Sequence, residues 1–183
     1  MKLLFVTSNT HKYEEIKQYL AGEHIECRWK KMKYEEIQAE TTDEVSMESL
    51  KILMNEIREP FFLEDTGLYI DALNGFPGPY SSYVFKTVGN EGILHLLHGK
   101  ERGAAFVTVV SYYDGKNYFQ FKGECRGAIS KNIRGNTGFG YDPIFIPEGY
   151  DMTYAEMTIE EKNRTSHRIR AMEKFVAHLK SQK

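Results

Sequence analysis

An apolar run that leads directly into two carboxylates constrains this chain more than any other feature. Phe61, Phe62 and Leu63 are followed by Glu64 and Asp65, then by a Thr-Gly pair and a loop rich in glycine and proline. Three consecutive bulky apolar residues predict a buried strand, which we expect to end where the carboxylates and the Thr-Gly turn begin. Open α/β sheets bind ligands at the carboxyl ends of their strands, where a carboxylate binds a metal ion or activates water. The stretch therefore predicts an α/β fold with a carboxylate site.

The N-terminal segment predicts an anion site or a simply capped helix. Residues 3–7 (LLFVT) indicate a short buried strand, and a helical apolar pattern begins a few residues later. The connecting TSNTHK brings backbone N–H groups and the Lys12 ammonium to a helix N-terminus, where anions bind. The same residues suit an ordinary helix start with Asn9 or Thr10 as N-cap, and alone they favour that interpretation. A P-loop is excluded, because its glycine and lysine spacing is absent.

An acidic loop at residues 34–44 offers further carboxylates. Thr41 and Glu44 form a capping box that opens a helix after this loop. The apolar face of that helix consists of Leu50, Leu53, Met54 and Ile57. Most acidic loops are simply solvated, but Glu36, Glu40 or both are candidates for a metal site shared with Glu64 and Asp65.

The middle of the chain predicts a β-hairpin. Residues 104–113 are rich in β-branched and aromatic side chains, and the turn sequence DGKN leads into a second strand at residues 118–123. Residues 125–133 predict one more strand. A glycine-dense loop follows at residues 135–147, and its flexible backbone and the flat side chains of Phe139 and Tyr141 suit close approach to a nucleobase. The alternative is an ordinary loop whose aromatic side chains pack on the core.

The last helix begins with an unusual pair of basic residues. Ser166 is the expected N-cap, so His167 and Arg168 lie in the first turn, where the helix dipole disfavours cations. A bound anion or an electronegative base edge would remove this penalty, and the pair is therefore a candidate for binding. Just before it, TIEE resembles a capping box and starts a short helical turn that carries Lys162.

Length and composition set the remaining limits. With 183 residues the chain is expected to form a single domain, residues 1–183. Its 24 Lys and Arg nearly balance its 26 Asp and Glu, which argues against nucleic-acid or membrane binding through a basic field. No apolar stretch is long enough to span a membrane, and two distant cysteines indicate reduced thiols. We therefore expect a soluble, cytoplasmic protein.

Together these pieces match a nucleoside triphosphate. Mg²⁺ prefers one or two carboxylates plus phosphate oxygens, lysines neutralise a polyphosphate, and an aromatic face stacks on a purine. The motifs TSNTHK, EDTGLYIDALNGFPGPYSSY, GFGYDPIF, TYAEMTIEEKN and SHRIRA also occur in this order and spacing. In this the chain resembles the inosine triphosphate pyrophosphatase family over nearly its whole length.

The resemblance implies a fold, a reaction and an assembly. It implies a mixed α/β structure in which an elongated, curved central sheet with helices divides two lobes that flank a deep active-site cleft. It implies Mg²⁺-dependent hydrolysis of ITP, dITP or XTP to the monophosphate and pyrophosphate, and a homodimer. Two alternatives stay open: a related pyrophosphatase for another modified nucleotide, and a non-catalytic nucleotide-binding or RNA-binding protein.

The resemblance also implies roles for individual residues. Asp65 becomes metal ligand and general base, Glu36 becomes a second metal ligand, and Glu64 remains an uncertain neighbour. The residues implied to bind substrate are Thr7, Ser8, Asn9, Thr10, His11 and Lys12 at the phosphates, and Thr66, Phe139, Gly140, Tyr141, Asp142, Lys162, His167 and Arg168 beside the nucleotide and its base. Some relatives carry basic residues where this chain has Ser49 and Ser82, and Lys51 or Lys86 are the candidates to replace them.

Overall fold

A computed structural model describes residues 1–35 and 37–182, in which seven strands and six α-helices occur. The strands are β1 (Lys2–Val6), β2 (Glu26–Lys30), β3 (Phe61–Ile70), β4 (Pro77–Gly78), β5 (Gly103–Tyr113), β6 (Tyr118–Ile129) and β7 (Phe145–Pro147). The α-helices are α1 (Thr10–Gly22), α2 (Thr42–Met54), α3 (Ser81–Thr87), α4 (Gly89–Leu96), α5 (Ile159–Thr165) and α6 (His167–Ser181). Short 3-10 helices span Asp71–Leu73, Asp142–Ile144 and Tyr154–Glu156.

The strands form one mixed sheet in the hydrogen-bonded order β2-β1-β3-β5-β6-β7, with β4 also paired to β3. Strand β1 runs parallel to β2 and β3, and Leu4 lies opposite Arg28 on one side and Phe61 on the other. The pairs β3–β4 and β6–β7 are antiparallel. The predicted mixed α/β class is therefore confirmed. None of the described helices is long and apolar enough to cross a membrane.

The chain divides into two compact units. Unit 1 contains residues 1–65, 108–123 and 168–183, and unit 2 contains residues 66–107 and 124–167. Strands β3, β5 and β6 each contribute part of their length to both units. The prediction of a single domain stays a prediction.

Unit 1 has three layers. On one face of its strands, Phe62 packs with side chains of α1 and α6, and its ring stacks on Phe5 at a centroid distance of 4.6 Å. On the other face, Phe61 and Leu63 pack with Leu50 of α2. Neighbouring β3 side chains thus enter different clusters, as the two-residue period of a strand requires.

Unit 2 has one apolar core. Leu68 and Ile70 of β3 pack there with Ile93 of α4 and with Phe106 of β5. Phe145 of β7 joins the same cluster. Because β7 forms the C-terminal end of the glycine-dense segment 135–147, this packing anchors that segment at its C-terminal end.

Three predictions about strands were wrong. Strand β3 continues through both carboxylates and the Thr-Gly pair to Ile70, so no turn interrupts it. Strand β6 is continuous over Tyr118–Ile129, where two strands were predicted. The loop at residues 135–147 contains a 3-10 turn and strand β7. In each case pairing with a neighbouring strand overrides a local glycine signal.

The predicted helix starts were more accurate. Asn9 is the N-cap of α1, and the Thr41–Glu44 and Thr158–Glu161 capping boxes both form. Helix α6 begins at His167, immediately after the expected cap residue. These signals depend on contacts within one helical turn, which the sequence specifies locally.

Candidate active site

The β3 strand places its two carboxylates on opposite faces. Glu64 and Asp65 are consecutive residues of a regular strand, and both are buried, at 2% and 7% exposure. Glu64 shares the face of Phe62, which packs with α1 and α6, whereas Asp65 shares the face of Leu63, which packs with α2. The two carboxylates of the predicted corner therefore belong to different environments.

Helix α1 begins beside the end of β1. The Asn9 side chain accepts hydrogen bonds from the N–H groups of His11 and Lys12, at 3.0 and 3.2 Å, and the Thr7 hydroxyl accepts one from the Asn9 N–H at 3.1 Å. Ser8, Thr10 and His11 are exposed. The first turn contains no acidic side chain, unlike those of α2 and α5. The positive end of α1 is thus not offset by a carboxylate of its own first turn, which favours an anionic ligand.

Glu64 is the centre of a buried ionic network in unit 1. Its Oε2 lies 2.7 Å from the Lys12 ammonium, and its Oε1 accepts from Arg168 Nε at 3.1 Å and from the Thr108 hydroxyl at 3.2 Å. Arg168 Nη1 also binds the Glu15 carboxylate. Arg168 can therefore occupy the first turn of α6, because these two carboxylates offset the charge that the helix dipole disfavours.

Asp65 lies on the face of the sheet that α2 covers. Ser46 connects α2 to the sheet, because its hydroxyl lies 2.7 Å from the Ser111 hydroxyl of β5. Among residues 1–35 and 37–182, no group of three or more His, Cys, Asp or Glu side chains is arranged to hold a metal ion. Mg²⁺ needs only one or two carboxylates when a substrate supplies phosphate oxygens. Asp65 fits that requirement, whereas Glu64 is engaged with two cations; Glu36, the other predicted ligand, lies outside the described residues.

In unit 2, Lys162 and Asp142 form a buried ion pair. Lys162 Nζ lies 2.8 Å from Asp142 Oδ2, which also accepts the Phe139 N–H at 2.9 Å. The ammonium lies over the rings of Phe139 and Tyr154, 5.2 and 5.5 Å from their centroids. The predicted nucleotide residues Phe139, Asp142 and Lys162 are thus in direct contact, and they combine a cation, a carboxylate and an aromatic face.

The other predicted base residues of unit 2 are held by different contacts. The His167 ring stacks on Phe106 at a centroid distance of 4.5 Å and an interplanar angle of 16°. The Gly140 carbonyl accepts a hydrogen bond from the Asn90 side chain at 3.1 Å. The Tyr141 hydroxyl donates to the Ser81 carbonyl at 2.9 Å. Tyr141 is therefore a core residue, as the simpler interpretation of this loop expected, and Thr66 is half-buried on β3.

Burial also sets the protonation of two phenols. Burial raises the pKa of Tyr154, and it likewise raises the pKa of Tyr141, so both hydroxyls stay protonated near neutral pH. Each can donate a hydrogen bond but cannot act as a phenolate base.

The basic residues suggested as replacements lie on helix surfaces. Lys51 pairs with Glu48 one turn earlier on α2, and this hydrogen bond raises the pKa of Lys51. Lys86 is exposed in the last turn of α3, and Ser82 is exposed as well. Ser49 is buried, and its hydroxyl has no hydrogen-bond partner among the described residues. The contribution of these residues to pyrophosphate binding stays a prediction.

Sequence reasoning missed three residues that hold the site residues. Glu15 and Thr108 bind Arg168 and Glu64, and Asn90 binds the glycine-rich loop. Glu15 gave one usable signal, since it lies three residues after Lys12 and therefore on the same helix face. Thr108 and Asn90 gave none, because their partners are distant in sequence.

The chain is similar to known proteins over nearly its full length. Residues 3–178 match the Ham1 family. The chain is 51% identical to a dITP/XTP pyrophosphatase of Thermococcus kodakarensis over 181 residues, which cover 98% of each protein. It is 49% identical to one from Methanopyrus kandleri over 183 residues, covering 99% of this chain and 97% of that protein. A solved HAM1 protein from Coxiella burnetii superposes with a TM-score of 0.85 at 28% identity, covering 98% of this chain and 99% of that one.

Proposed function

The chain belongs to the Ham1 family, and from this premise we propose that it hydrolyses the non-canonical purine nucleoside triphosphates ITP, dITP and XTP. Water cleaves the bond between the α- and β-phosphates and gives the nucleoside monophosphate and pyrophosphate. The substrate is a free nucleotide rather than a nucleic acid. Relatives that are about half identical in sequence carry the name dITP/XTP pyrophosphatase, which supports this substrate class.

One observation in the structure carries the proposal. The Lys12 ammonium contacts both the side chain and the backbone carbonyl of Glu64, the residue immediately before Asp65. A cation at the start of a helix is thus held on the strand one residue before the buried Asp65. Phosphoryl transfer depends mainly on positioning and on charge stabilisation, and Lys12 and Asp65 are the residues proposed to supply them.

At the phosphates, the proposed ligands come from unit 1. Backbone N–H groups and side chains of the segment 7–12 bind phosphate oxygens, and Lys12 offsets the charge that develops on the departing pyrophosphate. Asp65 orients the attacking water and accepts its proton. Asp65 and Glu36 are the proposed Mg²⁺ ligands; when bound, this ion neutralises phosphate charge.

At the base, the proposed contacts come from the glycine-dense segment 135–147 and from residues 162–168, which follow it in the chain. Phe139 offers a stacking face, and Asp142 and Lys162 offer a hydrogen-bond acceptor and a donor. Arg168 is donor-only, so it suits the 6-oxo group of hypoxanthine or xanthine and would leave the 6-amino group of adenine unpaired. Sites that depend on specific hydrogen bonds discriminate by about 10⁴-fold or more against partners that leave them unmade.

The test is a panel of nucleoside triphosphates with Mg²⁺, with the products identified by chromatography. We expect monophosphate plus pyrophosphate, with ITP, dITP and XTP far ahead of ATP and GTP. Diphosphate plus phosphate would exclude the proposed bond cleavage. Preference for a modified pyrimidine would instead favour a related pyrophosphatase with another substrate.

Replacing Asp65 tests the proposed general base. Asp65→Asn keeps the size of the side chain but removes its ability to accept a proton, so kcat should fall by about 10²–10⁴-fold. The measurement is pyrophosphate release from dITP at saturating substrate. Glu59→Gln is the control, because Glu59 is exposed and pairs with Arg28 at the surface of the same unit. Near-normal kcat in Asp65→Asn would remove Asp65 from this role.

We also propose a homodimer that works in the cytoplasm. Six large apolar side chains within residues 76–96 of unit 2 are exposed: Phe76, Tyr80, Tyr83, Phe85, Val88 and Leu96. Exposed apolar surface of this kind favours association with another chain. Cys27 and Cys125 are free thiols, which suits a reducing compartment. Sedimentation equilibrium measures the predicted dimer mass.

A further inference from the structure

We propose that Glu64 is a positioning residue, which aims the Lys12 ammonium at the phosphates by holding Lys12 and Arg168 on one shared carboxylate. The inference rests on the proposed function, because it concerns how Lys12 binds phosphate. It assigns a role to Glu64, the carboxylate of the predicted acidic corner to which the proposed mechanism gives none.

Glu64 contacts the Lys12 ammonium through two of its oxygens. Lys12 Nζ lies 2.7 Å from Glu64 Oε2 and donates to the Glu64 backbone oxygen at 3.2 Å. That carbonyl belongs to the peptide bond that joins Glu64 to Asp65. A lysine ammonium on its flexible four-carbon stem reaches many positions, and two acceptors from a single residue restrict it to one. Lys12 is therefore bound to the strand at Glu64, one residue before Asp65, the proposed general base.

The Glu64 carboxylate is itself immobilised. Its side chain is fully buried, and its Oε1 accepts from Arg168 Nε at 3.1 Å and from the Thr108 hydroxyl at 3.2 Å. These donors belong to α6 and β5, whereas Lys12 belongs to α1. A carboxylate held by three separate elements cannot rotate without breaking a bond to one of them. It can therefore transmit the geometry of the sheet to Lys12.

Arg168 leaves part of the positive charge of Lys12 available for an anion, because both cations share the Glu64 carboxylate. If Glu64 paired with Lys12 alone, it would cancel the charge that phosphate binding needs. Because Arg168 shares the same carboxylate, Lys12 keeps part of its attraction for an anion. Glu15 offsets the remaining charge of Arg168, so the network holds two cations and two carboxylates. Buried charges are tolerated when they are paired in this way.

The experiment compares Glu64→Gln with wild type. The glutamine keeps the side-chain volume but loses the charge, so the contact to Lys12 weakens. A hydrogen bond to a charged group contributes a factor of about 10 to 100 in an equilibrium. We therefore expect the inhibition constant of the product pyrophosphate, and KM for dITP, to rise by about 10- to 100-fold. Glu23→Gln removes an exposed ion pair with Lys180 in the same unit and should change neither constant.

Two further variants separate positioning from stability. Thr108→Val removes only the hydroxyl donor to Glu64 and should raise the pyrophosphate inhibition constant by about 2- to 10-fold. In a Lys12→Met background, Glu64→Gln should raise the pyrophosphate inhibition constant by less than about a further twofold, because Glu64 acts on pyrophosphate through Lys12. A purely structural role would lower the folded fraction and leave both constants of the folded enzyme unchanged.

The outcomes are distinct. Wild-type constants in folded Glu64→Gln overturn the proposal. A rise of the pyrophosphate inhibition constant that is as large in the Lys12→Met background as in wild type also overturns it. If Glu64→Gln does not fold, unchanged pyrophosphate inhibition in Thr108→Val overturns it. Failure of the wild type to release pyrophosphate from dITP would instead refute the proposed function. In that case titration calorimetry with pyrophosphate alone still compares wild type with the variants, and equal affinities overturn the positioning role.

Discussion

Removing Lys162 should destabilise the protein strongly, even without substrate. Its ammonium lies 2.8 Å from Asp142, and the two side chains are only 7% and 5% exposed. At an effective dielectric constant of about 20, unit charges at this distance attract by about 6 kcal/mol, and desolvation offsets much of that attraction. Lys162→Met leaves Asp142 buried without its cation, which typically costs about 3–5 kcal/mol. For a protein of this size that corresponds to a fall in Tm of about 6–20 °C.

The assay is equilibrium unfolding in urea, followed by circular dichroism. The matched control is Lys180→Met, which removes a lysine that is 60% exposed and pairs with Glu23. Exposed ion pairs contribute less than about 1 kcal/mol, so this control should unfold near the wild-type midpoint. A second variant, Lys162→Met with Asp142→Asn, removes both charges, and its amide oxygen still accepts the Phe139 N–H. It should recover about half of the lost stability or more, because neither side chain of the pair is then a buried, unpaired charge.

Two results would refute this reasoning. A loss of stability in Lys162→Met no greater than that in Lys180→Met would contradict the buried position of the Lys162–Asp142 pair. Equal instability of the double and single variants would show that the uncompensated charge of Asp142 is not the cause. Activity plays no part in this test, so the structural role of Lys162 is measured separately from its proposed contact with the nucleotide.

Two other measurements test the structure elsewhere. Gly127→Ala should cost about 1–3 kcal/mol in thermal unfolding, because the added Cβ would lie 2.2 Å from the Ile146 carbonyl oxygen. The control Gly22→Ala meets open space and should be neutral or slightly stabilising. Equal effects of the two substitutions on stability would contradict the β6–β7 packing. Burial raises the pKa of the Cys27 thiol from 9.0 to about 11, so the reactive thiolate at pH 8 is about 100-fold scarcer than in the unfolded chain. Iodoacetamide labelling of Cys27, followed by mass spectrometry, should be slower by that factor in the folded protein and should accelerate as pH rises towards 11; equal rates in folded and urea-unfolded protein would contradict the shift.

The sequence determined the features that depend on nearby residues. The capping boxes at Thr41 and Thr158 and the cap at Asn9 formed where they were predicted, because each joins groups within one helical turn. The buried run at the start of β3 and the apolar faces of the helices were also predicted, since burial follows from periodicity. The family resemblance rested on the same level of information, namely short motifs in a fixed order.

The tertiary structure decided how far β3 extends. The Thr-Gly pair after Asp65 predicted a turn, but β3 is paired with β1 at Phe61 and with β4 at Leu68, so hydrogen bonds hold the strand on both sides of that pair. The sequence alone does not contain this pairing. Its consequence is that Glu64 and Asp65 face opposite sides of the sheet and have different partners.

The network around Glu64 also depends on tertiary structure. Glu64 and Arg168 are separated by 104 positions, and Thr108 is 44 positions away. Local patterns therefore predicted Lys12 and Arg168 as candidate cations and Asp65 as a candidate catalytic carboxylate. Only the folded chain joins both cations to one buried carboxylate. A carboxylate in the interior stays charged only when it is paired, and here its partners come from distant parts of the chain.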